Sequence, residues 1–437
     1  MIFKNLEELY KSKVVSADEA VSKISCGDRV VFGNACASAL TLLEALAENK
    51  EKYRSVQLYN MIPMTKNEPY VQEGVENHIH YNSLFVGGGT REAISSGRAD
   101  YIPCFFHEIP RLFKEDYIPV DVSLIKVSKP DEHGFCSYGV STDYIKAATE
   151  KAKLVIAEVS ENMPRVFGDN FIHISDIDYI VESSRPMVEL KPPKIGDVEK
   201  TIGKYCASLI EDGSTLQLGI GAIPDAVLLF LKNKKDLGIH SEMISDGVVE
   251  LVEAGVITNK KKALHPGKIV VTFLMGTQRL YDFVNNNPMV EAYPVDYVND
   301  PMVVMKNSKL VCINSCVEID LMGQVCAESV GLRQISGVGG QVDFMRGASM
   351  ADGGKSVLAI SSTTGGGKVS RIVPFLSKGA AITTSRNDLQ YVITEYGIAR
   401  LKGKTLRERA RELIKIAHPQ FRDELITEFE NRFNCKY

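Results

Sequence analysis

A chain of 437 residues is longer than a single hydrophobic core usually supports, so two or three domains are expected. Its composition, 44% hydrophobic and 24% charged, is that of an ordinary globular protein. The net charge of -4 gives no basic surface for nucleic acid, which points to a small-molecule partner.

The N-terminus and the cysteines indicate where the protein works. Charges are scattered through residues 1–8, unlike the basic, apolar and small-residue zones of a secretory signal, and no apolar run approaches the ~20 residues that cross a bilayer. The nine cysteines lie in mostly apolar segments without a metal-site spacing, so we interpret them as reduced core thiols and expect no metal. These features predict a cytoplasmic enzyme that does not contact the membrane.

The chain opens with a helix, a strand, a small-residue turn and a second helix. The first helix is predicted from Ser16 to Ile24 and begins with a capping box. A β-rich run at 30–32 and the small residues 33–39 follow. The second helix begins at Leu40 and has leucines at the spacing of one helical face. This order predicts the start of an α/β domain.

The same order returns over residues 202–231, where Gly213 aligns with Gly27 and Pro224 opens the second helix. Chance similarity between two ordinary strand-turn-helix units is the alternative. An ordered match over the whole stretch nevertheless indicates two related α/β domains in tandem.

Further buried runs fit open, mostly parallel sheets. Three prolines interrupt both periodicities over residues 184–196, which predicts a linker there. We therefore divide the chain into an N-terminal α/β domain, 1–190, and a C-terminal α/β domain, 191–437, that carries the candidate chemistry. The predicted strands are 121–127, 154–159, 215–218, 268–273, 310–314 and 357–360, and a final amphipathic helix is predicted over 405–417, capped by Thr405 and Glu408.

Two neighbouring segments carry candidate chemistry. The glycine turn at 219–223 joins a strand to a helix, where backbone N–H groups and the helix dipole favour an anion. A tight connection without a ligand is the alternative. Glu242 follows a short strand, so it is expected at the carboxyl edge of the sheet, where open α/β sheets bind ligands. The alternative for Glu242 is a surface loop that leads into the next helix.

A second glycine cluster lies at 336–340, directly after an apolar segment. Its glycines predict close backbone approach, with donors for an oxyanion or a thioester carbonyl, or else a structural bend. Lys368 follows three glycines in a predicted flexible loop and is expected to reach an anionic ligand. The histidines are mostly scattered and no Gly-x-Ser-x-Gly elbow is present, which disfavours a serine hydrolase.

Taken together, these motifs resemble the acetyl-CoA hydrolase/transferase family. The resemblance rests on residues 218–227, 240–246, 336–344 and 394–399, and it extends over essentially the whole chain. It implies two tandem CoA-transferase-like open α/β domains with mostly parallel sheets, assembled in a homodimer.

The resemblance also implies a reaction and a set of site residues. CoA is expected to move between acetyl-CoA, or another short acyl-CoA, and a short carboxylate such as 4-hydroxybutyrate or butyrate. Glu242 matches the family's catalytic glutamate, which bonds to CoA as a glutamyl thioester in a ping-pong reaction, and Gln217 matches a polar residue near the acyl group. CoA is therefore a substrate, and no tightly bound cofactor is expected. The CoA-contacting residues expected from the resemblance are Gly219, Ile220, Gly221, Ala222, Ile223, Gly337, Gly339 and Gly340, and the residue pattern alone adds Lys368.

The sequence departs from the family pattern at Asn34, which stands where a histidine commonly follows the first strand. This segment is expected to line the acyl pocket, so we count Asn34 among the site residues and expect it to make the pocket neutral and change the preferred acid. Two other functions stay open. A short-chain acyl-CoA hydrolase would use the same glutamate and admit water, whereas a catalytically silent CoA-binding protein would not need Glu242.

Overall fold

The computed structural model describes residues 6–64 and 68–437. These form two compact units, unit 1 with Met1–Leu190 and Val270–Val298, and unit 2 with Lys191–Ile269 and Asn299–Tyr437. Across the described ranges, no helix combines the length and the apolar character that a membrane crossing requires.

Short helices and strands alternate up to residue 190. The helices are α1 (Leu6–Lys13), α2 (Ala17–Val21), α3 (Leu40–Glu48), α4 (Arg91–Ser95), α5 (Ile109–Lys114) and α6 (Ile145–Lys151). The strands are β1 (Arg29–Phe32), β2 (Val56–Asn60), β3 (Ile79–Ser83), β4 (Ala99–Tyr101), β5 (Val122–Ser128), β6 (Phe135–Ser137), β7 (Leu154–Ser160), β8 (Phe167–Gly168), β9 (Phe171–His173) and β10 (Tyr179–Ser183).

Helices and strands also make up the remainder of the chain, where several strands follow one another without a helix between them. The helices are α7 (Asp197–Ser208), α8 (Ala222–Leu229), α9 (Asp246–Glu253), α10 (Gln278–Val284), α11 (Val295–Val298), α12 (Pro301–Val304), α13 (Gln341–Met350), α14 (Leu406–Ile416) and α15 (Arg422–Phe433). The strands are β11 (Thr215–Leu218), β12 (Gly238–Ile239), β13 (Met243–Ile244), β14 (Ile269–Val271), β15 (Phe273–Leu274), β16 (Val290–Ala292), β17 (Leu310–Asn314), β18 (Glu318–Asp320), β19 (Val325–Cys326), β20 (Ser329–Val330), β21 (Arg333–Gln334), β22 (Lys355–Ala359), β23 (Thr363–Thr364), β24 (Val369–Ser370), β25 (Ile372–Val373), β26 (Tyr391–Thr394) and β27 (Gly397–Arg400).

Unit 1 is built on a seven-stranded parallel sheet with the order β10-β7-β5-β1-β2-β3-β4. Every residue of β5 is buried, as expected for a central strand covered on both faces. From β1 the chain proceeds to β2 on one side, and it later returns to β5 on the other side. The carboxyl ends of β1 and β5 therefore form a topological switch point, where open α/β sheets have their crevice.

Unit 2 repeats this plan in a six-stranded sheet with the order β12-β11-β17-β22-β26-β27, parallel except for the last pair. Here β11 takes the place of β1, with β12 on one side and β17 on the other. The glycines that align in the sequence, Gly27 and Gly213, have similar φ angles of 83° and 76° in the turns before β1 and β11. The structure thus confirms two tandem α/β units with mostly parallel sheets.

One segment differs from the sequence-based division. A boundary at 190/191 places residues 270–298 in the C-terminal domain, whereas the structure groups them with unit 1. The physical reason is local pairing: β16 runs parallel to β8, with Glu291 opposite Phe167, and the Tyr281 hydroxyl in α10 donates to the Val188 carbonyl at 2.6 Å. The predicted strand 268–273 is accordingly divided into β14 and β15 and lies outside the six-stranded sheet.

The predicted capping residues Ser16 and Thr405 occupy the N-cap positions of α2 and α14, whereas the helix predicted to open at Pro224 begins two residues earlier, at Ala222. In α14, the Thr405 hydroxyl accepts the Glu408 N–H, and the Glu408 carboxylate accepts the Thr405 N–H, which completes the capping box. In α2 the Ser16 hydroxyl accepts the Glu19 N–H, which is one of the two bonds of a capping box, and the helix ends before Ile24. Residues 184–196 contain no helix or strand, in agreement with the predicted linker.

Candidate active site

Polar side chains gather at the carboxyl edge of the unit 2 sheet. Gln217 lies near the end of β11, Glu242 follows β12, Asn314 ends β17 and Glu395 follows β26. Because these strands are parallel to one another, their carboxyl ends meet at one edge. This is the edge at which open α/β sheets bind ligands.

The loop that carries Glu242 is hydrogen-bonded at both of its ends to residues that flank the glycine turn. The Ser241 hydroxyl donates to the Leu218 carbonyl at 3.2 Å and accepts the Leu218 N–H at 3.4 Å. Four residues further on, the Ser245 hydroxyl donates to Asp225 in α8 at 3.3 Å. The structure therefore brings together the two segments that the sequence predicts as neighbours.

The Glu242 carboxylate lies against Asn299 and Gly340. The Asn299 amide Nδ2 donates to Oε2 of Glu242 at 2.9 Å, and the Asn299 side chain is fully buried. A Cβ at position 340 would lie 1.9 Å from the same carboxylate oxygen, so only glycine leaves that oxygen its space. Gly340 is the N-cap of α13, and the positive end of a helix dipole favours a carboxylate nearby.

Asn299 carries no signal in the sequence that would join it to Glu242, because 57 residues separate the two. The only local pattern is a helix start, in which Asp300 accepts the Met302 N–H and Pro301 opens α12. Among the described residues, the buried Oδ1 of Asn299 has no hydrogen-bond partner. An unsatisfied polar atom in a buried amide lowers the stability of the fold. We therefore expect the hydrogen bond from the other end of this amide to Glu242 to serve the site.

The glycine turn is open to a ligand. A Cβ at Gly219 or at Gly221 would meet nothing within 4 Å, and Gly221 has a φ of 116° as the N-cap of α8. Ile220 between them is 43% exposed. Ala222 and Ile223 form the first positions of α8, and a small cavity between the turn and the Glu242 loop is lined by residues that include Leu218, Gly219, Ser241 and Ser245.

The other predicted CoA-contacting residues lie in two places. Gly337 and Gly339 precede Gly340 in the segment that leads into α13, and Gly339 has a φ of 53°. Lys368 is exposed in the loop between β23 and β24, a hairpin that follows the carboxyl end of β22. Among the predicted CoA-contacting residues in these two places, Gly340 lies directly against the Glu242 carboxylate.

Asn34 is a buried structural residue of unit 1 at the end of β1. Its Nδ2 donates to Oδ2 of Asp143 at 2.6 Å, and its Oδ1 accepts the Ile62 N–H at 3.0 Å. Burial raises the pKa of Asp143 to about 6, while hydrogen bonds from Ser141 and Asn34 oppose that rise. Both ends of the Asn34 amide are therefore engaged within the unit, so the amide is not exposed to a ligand there.

Two family models match the chain, the acetyl-CoA hydrolase/transferase N-terminal domain over residues 3–191 and the corresponding C-terminal domain over residues 276–429. The chain belongs to the acetyl-CoA hydrolase/transferase family. It is 68% identical to the 4-hydroxybutyrate coenzyme A transferase of Clostridium kluyveri, over 98% of this chain and 99% of that protein. It is 39% identical to the butyryl-CoA:acetate CoA-transferase of Anaerostipes caccae, over 98% of both.

Solved structures of family relatives have the same fold. The 4-hydroxybutyrate CoA-transferase of Porphyromonas gingivalis is 45% identical, with a TM-score of 0.85 over 98% of this chain and 100% of that one. RipA of Yersinia pestis is 37% identical, with a TM-score of 0.93 over 98% and 99%. By enzyme class this member of the family is a CoA-transferase.

The contact between Gly340 and Glu242 predicts a large effect of a small substitution. Gly340→Ala should lower kcat by about a hundredfold, because the added methyl group displaces the carboxylate and a misplacement of ~1 Å costs this much. Gly88→Ala is the control, since a Cβ at Gly88 meets nothing within 4 Å and its φ is not positive. Equal kcat values for both variants at unchanged thermal stability would contradict the close approach.

The hydrogen bond from Asn299 predicts a second loss. Asn299→Ala removes the donor to Oε2 of Glu242, and we expect kcat to fall about ten- to a hundredfold, the loss typical for a hydrogen bond to a charged group. The KM for acyl-CoA should change little, because the amide contacts the carboxylate. Steady-state kinetics with both substrates varied measure the two parameters, and a loss confined to KM would refute this orienting role.

The Asn34 network predicts a pH-dependent loss of stability. The pKa of Asp143 rises from 3.8 to about 6 on folding, so its contribution to stability is present below pH 4 and is lost as the pH rises through 6. Asn34→Ala removes a donor to the ionised form and should cost about 1–3 kcal/mol at neutral pH. Thermal melts should show a larger drop in Tm at pH 8 than at pH 5. Ser141→Ala should show the same asymmetry, and equal drops at both pH values would contradict it.

Proposed function

We propose that this CoA-transferase moves CoA between acetyl-CoA, or another short acyl-CoA, and a short carboxylate such as 4-hydroxybutyrate or butyrate. The observation that carries the proposal is the Glu242 carboxylate at the carboxyl edge of the unit 2 sheet, oriented by the Asn299 amide. The choice of acids is supported by two relatives, since the name of the Clostridium kluyveri protein specifies 4-hydroxybutyrate and that of the Anaerostipes caccae protein specifies butyryl-CoA and acetate.

The reaction proceeds in two half-reactions through Glu242. A carboxylate oxygen attacks the thioester carbonyl of acyl-CoA, the C–S bond breaks, and a mixed anhydride and CoA thiolate form. The thiolate then attacks the glutamyl carbonyl of the anhydride, which releases the first acid and leaves a glutamyl-CoA thioester. An incoming carboxylate reverses these steps and departs as its own CoA ester.

A carboxylate suits this task better than a hydroxyl nucleophile. Anhydride and thioester both retain the activation of the original CoA ester, whereas a serine ester would dissipate much of it. Water must be excluded at the same time, because a glutamyl thioester can hydrolyse. A transferase and a hydrolase would thus share Glu242 and differ in their access for water.

The surrounding residues take complementary roles in this proposal. The Asn299 amide fixes the plane of the Glu242 carboxylate, and Gly340 leaves room for the acyl group to approach it. Gln217 donates to the oxygen that becomes negative during attack, together with backbone N–H groups near the glycine turn. CoA lies along the open glycines at 219–221 and the segment 337–340, and the exposed Lys368 binds its phosphates.

Asn34 affects the choice of acid indirectly. Its amide anchors the segment after β1 to Asp143, so a change at this position acts through the shape of that segment. The proposal also includes a homodimer that works in the cytoplasm, in the fermentative metabolism of short-chain acids, as family membership suggests. Catalysis is assigned to the C-terminal part of the chain, which carries Glu242.

Covalent capture tests the mechanism. The protein is incubated with butyryl-CoA without an acceptor acid, and intact mass spectrometry should show a CoA adduct. Borohydride should then reduce the thioester carbonyl at Glu242 to an alcohol, which peptide mass spectrometry locates. Glu242→Gln should form no adduct, whereas Glu73→Gln, a change at an exposed glutamate, should behave as the wild type.

The outcomes separate the competing functions. Adduct formation with transfer to added acetate supports the transferase. Steady release of CoA without an acceptor would identify a hydrolase, and binding of acyl-CoA without any adduct or turnover would identify a silent binding protein. Full activity with an unmodified Glu242 would refute the glutamyl-CoA mechanism.

A further inference from the structure

We propose that Asn314 is a positioning residue that sets the direction of the Gln217 amide, so that Gln217 presents its NH2 group to the reacting acyl carbonyl. The inference rests on the proposed function, which places Gln217 near the acyl group. The Asn314 Nδ2 donates to Oε1 of Gln217 at 3.0 Å. Gln217 is 3% exposed and Asn314 is half-buried, so the contact is shielded from solvent.

The sheet register brings these two amides onto one face. β11 and β17 are parallel neighbours, with Gln217 opposite Cys312. Because side chains alternate along a strand, Asn314 lies on the same face as Cys312. Burial raises the pKa of the Cys312 thiol to about 12, and the nearby Asn314 side chain partly opposes this rise. Cys312 thus stays a neutral thiol beside the two amides.

The same face adjoins the helix that contacts the candidate nucleophile. Gln341, the first residue of α13, donates through its side-chain amide to the Ser315 carbonyl, one residue after Asn314. Gly340, directly before it, is the glycine that makes room for Glu242. Asn314 and Glu242 are therefore both adjacent to the N-terminal end of α13, at the switch point between β11 and β17.

The direction of an amide decides what it can offer a substrate. When the oxygen of Gln217 accepts from Asn314, the donors of Gln217 are left to point away from Asn314. Donors stabilise the oxygen of a thioester carbonyl as it becomes negative, whereas an amide oxygen in that place would repel it. A residue at 314 that accepts instead of donating would draw the NH2 group of Gln217 to itself and reverse this arrangement.

Asn314→Asp tests this directly, because aspartate has nearly the shape of asparagine but accepts at both oxygens. We expect kcat to fall about a hundred- to a thousandfold, the loss typical for one oxyanion donor, with little change in the KM for acyl-CoA. Asn314→Ala removes the hydrogen bond to Gln217 without turning the Gln217 amide round, so kcat should fall less than in Asn314→Asp. Thermal melts check that each variant is folded.

Gln217→Glu is a second, independent reversal, since its carboxylate still accepts from Asn314 but presents an oxygen to the substrate. It should reproduce the kcat loss of Asn314→Asp. In the double variant Gln217→Ala/Asn314→Asp, the second change should add nothing to the loss of Gln217→Ala alone, because the two residues act as a unit.

The outcomes of this inference are separate from those of the proposed function. Wild-type adduct formation at Glu242 tests the function by itself. With that adduct present, unchanged kcat in Asn314→Asp, or fully additive losses in the double variant, would overturn the role of Asn314. A loss of Tm and a rise in KM without a kcat effect would also overturn it, since that is the result of a purely structural contact.

Discussion

Two hydrogen bonds between the Ser241 hydroxyl and the backbone of Leu218 tie the loop that carries Glu242 to the end of the neighbouring strand. The rest of the site depends on this attachment, because Asn299 and Gly340 can orient the carboxylate only if its backbone is already fixed. A glutamate on an untethered loop would have to be ordered at each turnover. The entropic cost of this ordering would reduce the net free energy of substrate binding. The parallel sheet supplies the rigidity that the loop itself lacks.

The Asn299 amide that donates to Glu242 is neutral, and this suits the nucleophilic role proposed for the carboxylate. Hydrogen bonds from cations are roughly twice as strong as neutral ones and would stabilise the ground-state carboxylate more than the attacking one. An amide sets direction at a lower cost in reactivity. The same principle applies to Gln217 and Asn314. The bond between their neutral amides sets the direction of the Gln217 NH2 donor without adding a charge to the site.

Local patterns in the sequence predict most of the strands and the N-caps of α2 and α14. β11 and β17 occupy the predicted residues 215–218 and 310–314, because buried runs between turn residues leave little choice of structure. Such patterns do not predict contacts between residues that lie far apart in the sequence. Asn299 contacts Glu242 from 57 residues away, and residues 270–298 pack with unit 1 because β16 pairs with β8. Hydrophobic periodicity identifies a strand but does not name its neighbour.

The repeated turn after the first strand of each unit has two different uses. In the repeat that pairs Gly27 with Gly213, Gly33 pairs with Gly219. A Cβ at Gly219 would meet nothing within 4 Å, whereas a Cβ at Gly33 would lie 2.5 Å from the Ala37 carbonyl oxygen. The unit 1 turn is closed on itself and braced by the bond between Asn34 and Asp143. A buried side chain in this hydrogen-bond network affects a substrate only by moving the backbone segment to which it is bonded. We therefore expect a substitution of Asn34 to change acid preference only together with a change in stability.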